Sequence, residues 1–148
     1  HAGSFDLAYL CCLPNVVVMA PSDEAELAKM VMTASKYSHG PIFCRYPRGE
    51  GEGVDIPDIV QDVKIGKGRI IKKGKDLAIL ALGTRVGTAL KVADYLSQDN
   101  LEITVADARF AKPIDTELLE KWINFKPITT FENGIKKFVN WYRNYYID

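Results

Sequence analysis

The sequence predicts an α/β fold made of parallel-sheet, three-layer units. Two short, continuous apolar runs carry this reading, residues 16–20 with their consecutive valines and residues 77–82. Runs of that kind suit strands buried on both faces. Each is followed by a break, a helix-period stripe and a further short apolar segment. A strand–helix–strand order of this type builds a right-handed parallel crossover. Composition agrees: 47% hydrophobic and 26% charged residues over 148 are values of a globular chain rather than a disordered one.

In the first unit, residues 16–20 form the first strand and Pro21 and Ser22 end it. Ser22 is the expected N-cap, with Asp23 and Glu24 adding negative charge to the first turn. Leu27, Met30, Val31 and Ala34 form the helix's apolar stripe, Gly40 and Pro41 stop it, and residues 42–45 are the next strand. Residues 51–63 hold Gly51, Gly53, Pro57 and several acids with little periodicity, and read as a linker. The expected division is therefore 1–50, a linker at 51–63, and 64–148.

In the second unit, residues 68–71 are a strand, 73–76 a turn and 77–82 a buried strand. Gly83 breaks the run and Thr84 caps a helix with the stripe Val86, Leu90, Ala93 and Leu96. Residues 103–106 form the next strand, and Asp115 caps a helix bearing Leu118, Leu119 and Trp122. The order β-β-α-β-α predicts a second parallel sheet. In the tail, Ile135, Phe138, Val139, Tyr142 and Tyr146 share one helical face. Thr129 and Glu132 fit a capping box; alternatively, residues 128–131 are a third strand and the helix starts after Asn133. A helix docked by its apolar face is favoured over a partner-binding one.

Charge and cysteine content exclude several classes. The formal net charge is zero, so no global basic field exists to hold nucleic acid or an anionic membrane. No apolar run reaches the roughly 20 residues of a membrane span. Three cysteines without C-x-x-C spacing read as reduced thiols of a cytoplasmic protein, and Cys11 and Cys12, after Leu10, are expected to be buried. The chain starts with His1 rather than Met, so a longer parent sequence or a removed leader is expected.

The chemistry-bearing candidate is Arg45-Tyr46-Pro47-Arg48-Gly49, which follows a strand and so sits where open α/β sheets bind ligands. Two guanidiniums there can hold a phosphate through paired hydrogen bonds; the competing reading is a solvated surface loop. Gly66-Lys67-Gly68 lacks phosphate-loop spacing and reads as a turn. Gly83-Thr84 is either a plain cap or an anion-binding helix start. Asp107, Arg109, Lys112 and Asp115 read as structural ion-pairing residues. The histidines and scattered acids give no metal-ligand cluster.

Several blocks in order resemble 1-deoxy-D-xylulose-5-phosphate synthase, a transketolase relative. They are His1-Ala2-Gly3-Ser4-Phe5-Asp6-Leu7-Ala8-Tyr9-Leu10, Val18-Met19-Ala20-Pro21-Ser22-Asp23-Glu24-Ala25-Glu26-Leu27, Gly40-Pro41, and Arg45-Tyr46-Pro47-Arg48-Gly49-Glu50-Gly51. Ile65-Gly66-Lys67-Gly68, Ala81-Leu82-Gly83-Thr84, and Val105-Ala106-Asp107-Ala108-Arg109-Phe110-Ala111-Lys112-Pro113-Ile114-Asp115 follow. The resemblance covers residues 1 to about 119. It implies the second half of a pyrimidine-binding domain and the start of the transketolase C-terminal domain. It implies joining of pyruvate to glyceraldehyde 3-phosphate with loss of carbon dioxide, using thiamine diphosphate and magnesium. His1 matches a histidine beside the substrate, and Arg48 matches the arginine that grips the aldehyde's phosphate, with Arg45 close by. The groups that hold the cofactor and activate it precede the matched blocks, so neither cofactor is expected on this chain alone, nor is turnover. The expected partner is a phosphorylated small molecule, and uncovered sheet edges favour self-association. The stretch from about Phe125 departs from the pattern and resembles the C-terminal helix of nucleotide-sugar epimerases.

Overall fold

The structure, a computed structural model, describes residues 3–123 and 129–146. It forms two compact units, His1–Leu118 and Leu119–Asp148. The larger carries α1 (Asp6–Cys12), β1 (Val17–Met19), α2 (Glu24–Lys36), β2 (Ile42–Cys44), β3 (Arg69–Lys72), β4 (Leu77–Ala81), α3 (Arg85–Ser97), β5 (Ile103–Asp107) and β6 (Phe110–Lys112). Helix α4 (Thr116–Ile123) crosses from the larger unit into the smaller, and α5 (Phe131–Tyr146) lies in the smaller.

The fold is α/β, as the apolar runs predict, but its sheets are mixed rather than parallel. One has the order β2-β1-β6 and the other β3-β5-β4. The crossover pairs β1–β2 and β4–β5 are parallel, whereas β6 runs antiparallel to β1 and β3 antiparallel to β5. Connection length explains the direction of β3. A parallel pair needs a crossover of a dozen or more residues. Only residues 73–76 join β3 to β4, so the chain reverses between them and β5 inserts into the gap. Gly74 makes that insertion possible: a Cβ there would lie 2.4 Å from the Glu102 carbonyl carbon. Thr104 Oγ1 fixes the turn, accepting from Gly74 N at 2.8 Å and donating to Gly74 O at 2.7 Å.

Two apolar clusters support these sheets. Ala81, Val86, Ala89, Ala93, Ile103 and Val105 join α3 to β4 and β5. Val17, Met19, Met30, Val63 and Phe110 join α2 to β1 and β6. The linker's end belongs to the second cluster: Val63 is buried, and its N–H donates to Thr33 Oγ1 at 2.9 Å. Helix α2 begins one residue later than expected. Asp23, not Ser22, is its N-cap, and Asp23 Oδ1 accepts from Glu26 N at 2.8 Å. Its buried face is Glu26, Met30 and Thr33, while Val31 is exposed. Thr84 occupies the α3 N-cap position but makes no side-chain cap bond. Asp115 caps α4 as expected, accepting from Leu118 N at 3.2 Å.

Glu26 is the least expected core residue, with 1% of its side chain exposed. Arg109 Nε donates to its Oε2 at 2.8 Å and Arg109 Nη2 to its Oε1 at 3.2 Å. Arg69 Nη1 lies 3.1 Å and Lys29 Nζ 2.9 Å from Oε1. Arg69 Nε also donates to the buried Asp107 at 3.4 Å, and its Nη2 to Ser22 Oγ at 3.1 Å. Arg109 reaches inward from a left-handed backbone (φ 58°), which Asp107 Oδ1 secures by accepting the Arg109 N–H at 2.9 Å. The predicted structural residues Asp107, Arg109, Lys112 and Asp115 are all engaged, mostly with groups distant in sequence. Lys112 donates to the carbonyls of Cys11 and Leu13, and Asp115 pairs with Lys67.

In the smaller unit, α5 is helical from Phe131, so residues 129–131 are not a strand. Thr130 rather than Thr129 caps it, accepting from Asn133 N at 3.3 Å. Phe138, Trp141, Tyr142, Tyr145 and Tyr146 are exposed and contact one another along the helix.

Burial raises the pKa of Glu26, but the hydrogen bonds from Arg109 and Lys29 and the charge of Arg69 outweigh it and hold the carboxyl below its ordinary 4.5. A depressed carboxyl pKa contributes stability that is present above the unfolded value and is lost as pH falls through the folded one. Unfolding stability should therefore decline below pH 4.5, and Glu26→Gln should flatten that decline in urea titrations at stepped pH. At pH 7, Glu26→Ala should cost about 3–5 kcal/mol, because it strands the Arg109 guanidinium and takes from Arg69 one of its three carboxylate partners. A cost below about 1 kcal/mol would show that the cluster does not hold the fold together.

Candidate functional site

The carboxyl ends of β1, β2 and β4 converge on one cavity of about 900 Å3. Gly83 allows the approach. At φ 60° it takes a conformation that side chains disfavour, and a Cβ there would sit 3.3 Å from the Ala20 Cβ. The corner between β5 and β6 completes the alignment: Ala108 N donates to Ala81 O at 2.8 Å, and Ala20 N donates to Arg109 O at 2.9 Å.

Arg45 continues the β2 ladder, with its N–H donating to Met19 O at 2.8 Å. Its side chain turns to the N-terminal segment: Nε donates to Asp6 Oδ2 at 2.5 Å and Nη2 to Gly3 O at 3.4 Å. Arg48 also lines the cavity, is exposed, and has no hydrogen-bonding or ion-pairing partner among the described residues. The two predicted arginines therefore share one cavity but differ in state, one clasped by a carboxylate and the other open. His1, the remaining predicted site residue, lies outside the described residues.

The sequence reading missed three contributors to this cavity: Asp6 as the partner of Arg45, and Arg85 and Thr88 from α3. No local signal marks Asp6, because its partner is 39 residues away. Nearby, a depression of about 310 Å3 is lined by Asp23, Glu24, Glu50 and Glu52. Glu24 anchors its rim by accepting the Gly53 N–H at 2.8 Å, and such backbone hydrogen bonds lower its pKa. Among the described residues, no group of three or more His, Cys, Asp or Glu could hold a metal ion. The donor set there does not fit a magnesium-bound diphosphate. Among the described residues, no helix is long and apolar enough to cross a membrane.

The cysteines correct one expectation. Cys11 is half-buried and Cys12 is exposed, because α1 buries none of its residues. Cys44, at the end of β2, is half-buried, and burial raises its thiol pKa.

This arrangement defines an α/β unit with a ligand cavity at the carboxyl ends of its strands, as open α/β sheets place ligands. Comparison with known proteins takes the assignment further. Residues 1–52 match the transketolase pyrimidine-binding domain, and residues 66–138 match the transketolase C-terminal domain. The second match runs beyond Phe125, where the sequence alone departs from the pattern. A solved structure described as a split-gene transketolase, inactive beta4 tetramer, shares 34% identity over 81% of this chain, with a TM-score of 0.69. A transketolase variant from Pichia stipitis gives a TM-score of 0.56 at 18% identity over 78% of this chain. The Pichia stipitis enzyme in complex with sedoheptulose 7-phosphate gives 0.54 at 18% over 72%. The chain spans 39% of the length of the split-gene protein and 16–18% of the Pichia chains. It belongs to the transketolase family.

Thiol chemistry offers a check on this geometry. Cys12 should react first with a neutral-pH alkylating reagent, and Cys44 should react at least several-fold more slowly, since the thiolate is the reactive form. Mass spectrometry of tryptic peptides over time reads the order. Cys44 reacting first would mean that the end of β2 is not packed as described.

Proposed function

We propose that this chain is part of a 1-deoxy-D-xylulose-5-phosphate synthase, which joins pyruvate to glyceraldehyde 3-phosphate with loss of carbon dioxide. Its own contribution is the phosphate site for the aldehyde. The observation that carries this reading is Arg48, a guanidinium lining a cavity at the strand ends and unpartnered among the described residues. It is also the residue that the resemblance assigns to the phosphate. A dianionic phosphate needs fixed cations, and arginine meets it with paired hydrogen bonds. Arg45 lines the same cavity, clasped to Asp6. His1 would stand beside the substrate.

Thiamine diphosphate and magnesium belong to the complete enzyme. Thiamine diphosphate supplies the electron sink for decarboxylation, and the residues that the resemblance assigns to holding and activating it lie outside the matched blocks. The chain alone is therefore inactive. Within it, residues 1–50 act as part of the pyrimidine-binding domain, 51–63 as the linker, and 64–148 as the C-terminal-domain part, in a cytoplasmic protein. Self-association follows from exposed apolar residues such as Phe5, Ile59 and Leu77, and the tetramer named for the split-gene transketolase supports it.

A second reading is a non-catalytic binding module of transketolase-like fold, since one fold serves catalytic and non-catalytic proteins alike. Calorimetry of the full chain with glyceraldehyde 3-phosphate tests both. The synthase reading expects weak binding that drops at least tenfold, or about 1.4 kcal/mol, in Arg48→Ala. Affinity unchanged by that substitution would sink it. Wild-type binding at low micromolar or tighter would favour the module.

A further inference from the structure

We infer that the cavity has a second anion-binding end, formed by Arg85 with Thr84 and Thr88, and that it takes a small carbon skeleton bearing an anionic group at each end. The inference rests on the reading of Arg48 as the first end.

The charged residues lining the cavity are Asp6, Arg45, Arg48 and Arg85. Asp6 Oδ2 accepts from Arg45 at 2.5 Å, while its Oδ1 is buried without a hydrogen-bond partner among the described residues. Arg48 and Arg85 are left, neither with an ion-pair or side-chain hydrogen-bond partner among the described residues. Two uncompensated guanidiniums in one concavity repel each other and raise the local concentration of anions. Arg85 is the first residue of α3, where a cation opposes the helix dipole, and the first turn contains no acid; Asp23, Glu24, Glu50 and Glu52 line the neighbouring depression, which shares Thr84 with this cavity. Thr84 holds the N-cap position without making the cap bond, so its hydroxyl is uncommitted. Thr88 lines the same wall one turn further on. A bound anion would satisfy all three groups together.

The rest of the wall argues for carbon between the anionic ends. Leu7, Ile79, Leu80, Leu82, Ala89 and Val92 line the cavity, which at about 900 Å3 far exceeds a single phosphate. Apolar lining with a few polar anchors is the usual make-up of a small-molecule site. The ligand class is thus a sugar bisphosphate or a phosphorylated sugar acid.

Matched ligand pairs test this on the full chain by calorimetry: glyceraldehyde 3-phosphate against 3-phosphoglycerate, and fructose 6-phosphate against fructose 1,6-bisphosphate. Each pair differs chiefly in the second anionic group. In at least one pair the doubly anionic member should bind at least tenfold tighter. Arg85→Gln should abolish that preference while sparing the singly anionic partner, and Arg85→Lys should restore part of it. Circular dichroism should show both variants folded, as expected for an exposed residue. The inference is overturned if neither pair shows a preference, or if Arg85→Gln leaves the preference intact. Arg48→Gln separates the two ideas. If it weakens every ligand while no preference exists, the phosphate reading stands and the second end fails. If it weakens none while an Arg85-dependent preference persists, the second end stands and the phosphate reading fails.

Discussion

The larger unit depends on one buried carboxylate. Removing Glu26 from water costs several kcal/mol unless cations and hydrogen bonds replace the hydration, and Arg109, Arg69 and Lys29 supply them. These cations come from places far apart in sequence: the β5–β6 corner, β3 and α2 itself. The cluster therefore fixes the start of α2, just beyond β1, against the strand ends of the other sheet. Severing it would leave Arg109 without an ion-pair partner among the described residues, and Arg69 held only by Asp107 and Asp23. The apolar clusters on either side supply most of the gross burial. The carboxylate contributes direction, because its two oxygens accept from specific nitrogens, whereas apolar contacts tolerate sliding.

That geometry explains how much of the fold the sequence reveals. The apolar runs, the α3 stripe and the Asp115 cap are local signals, and each appears where the periodicity puts it. What the sequence does not reveal is set by partners distant along the chain. Strand β6 is only three residues long, lies just before Pro113, and exists because β1 offers its edge. The antiparallel placement of β3 depends on Gly74 passing over the start of β5. Glu26 reads as an ordinary charged helix residue until Arg109, 83 positions away, closes on it. The shift of two helix caps by one residue, to Asp23 and Thr130, reflects neighbouring side chains of nearly equal capping ability.

The site follows the same pattern. The position of Arg45 to Gly49 at a strand's carboxyl end is legible from the order of elements. The different states of the two arginines are not, because Asp6 lies in a separate helix whose far end is held by Lys112. Membership of the transketolase family fixes the fold and leaves the substrate to be argued from the site, since one fold serves many reactions. Here the site is a cavity with one clasped and one open guanidinium near the same strand end. A phosphorylated substrate therefore meets Arg48 before Arg45, whose charge is already held by Asp6.

The most direct measurement follows the side-chain Nε–H resonances of the arginines by nitrogen-15 NMR while glyceraldehyde 3-phosphate is titrated into the chain. The account predicts that the Arg48 signal shifts and saturates, while the Arg45 signal, already held by Asp6, stays near its starting position. A saturating shift at Arg45 with Arg48 unmoved would contradict it, and so would the absence of any shift at Arg48 across the titration.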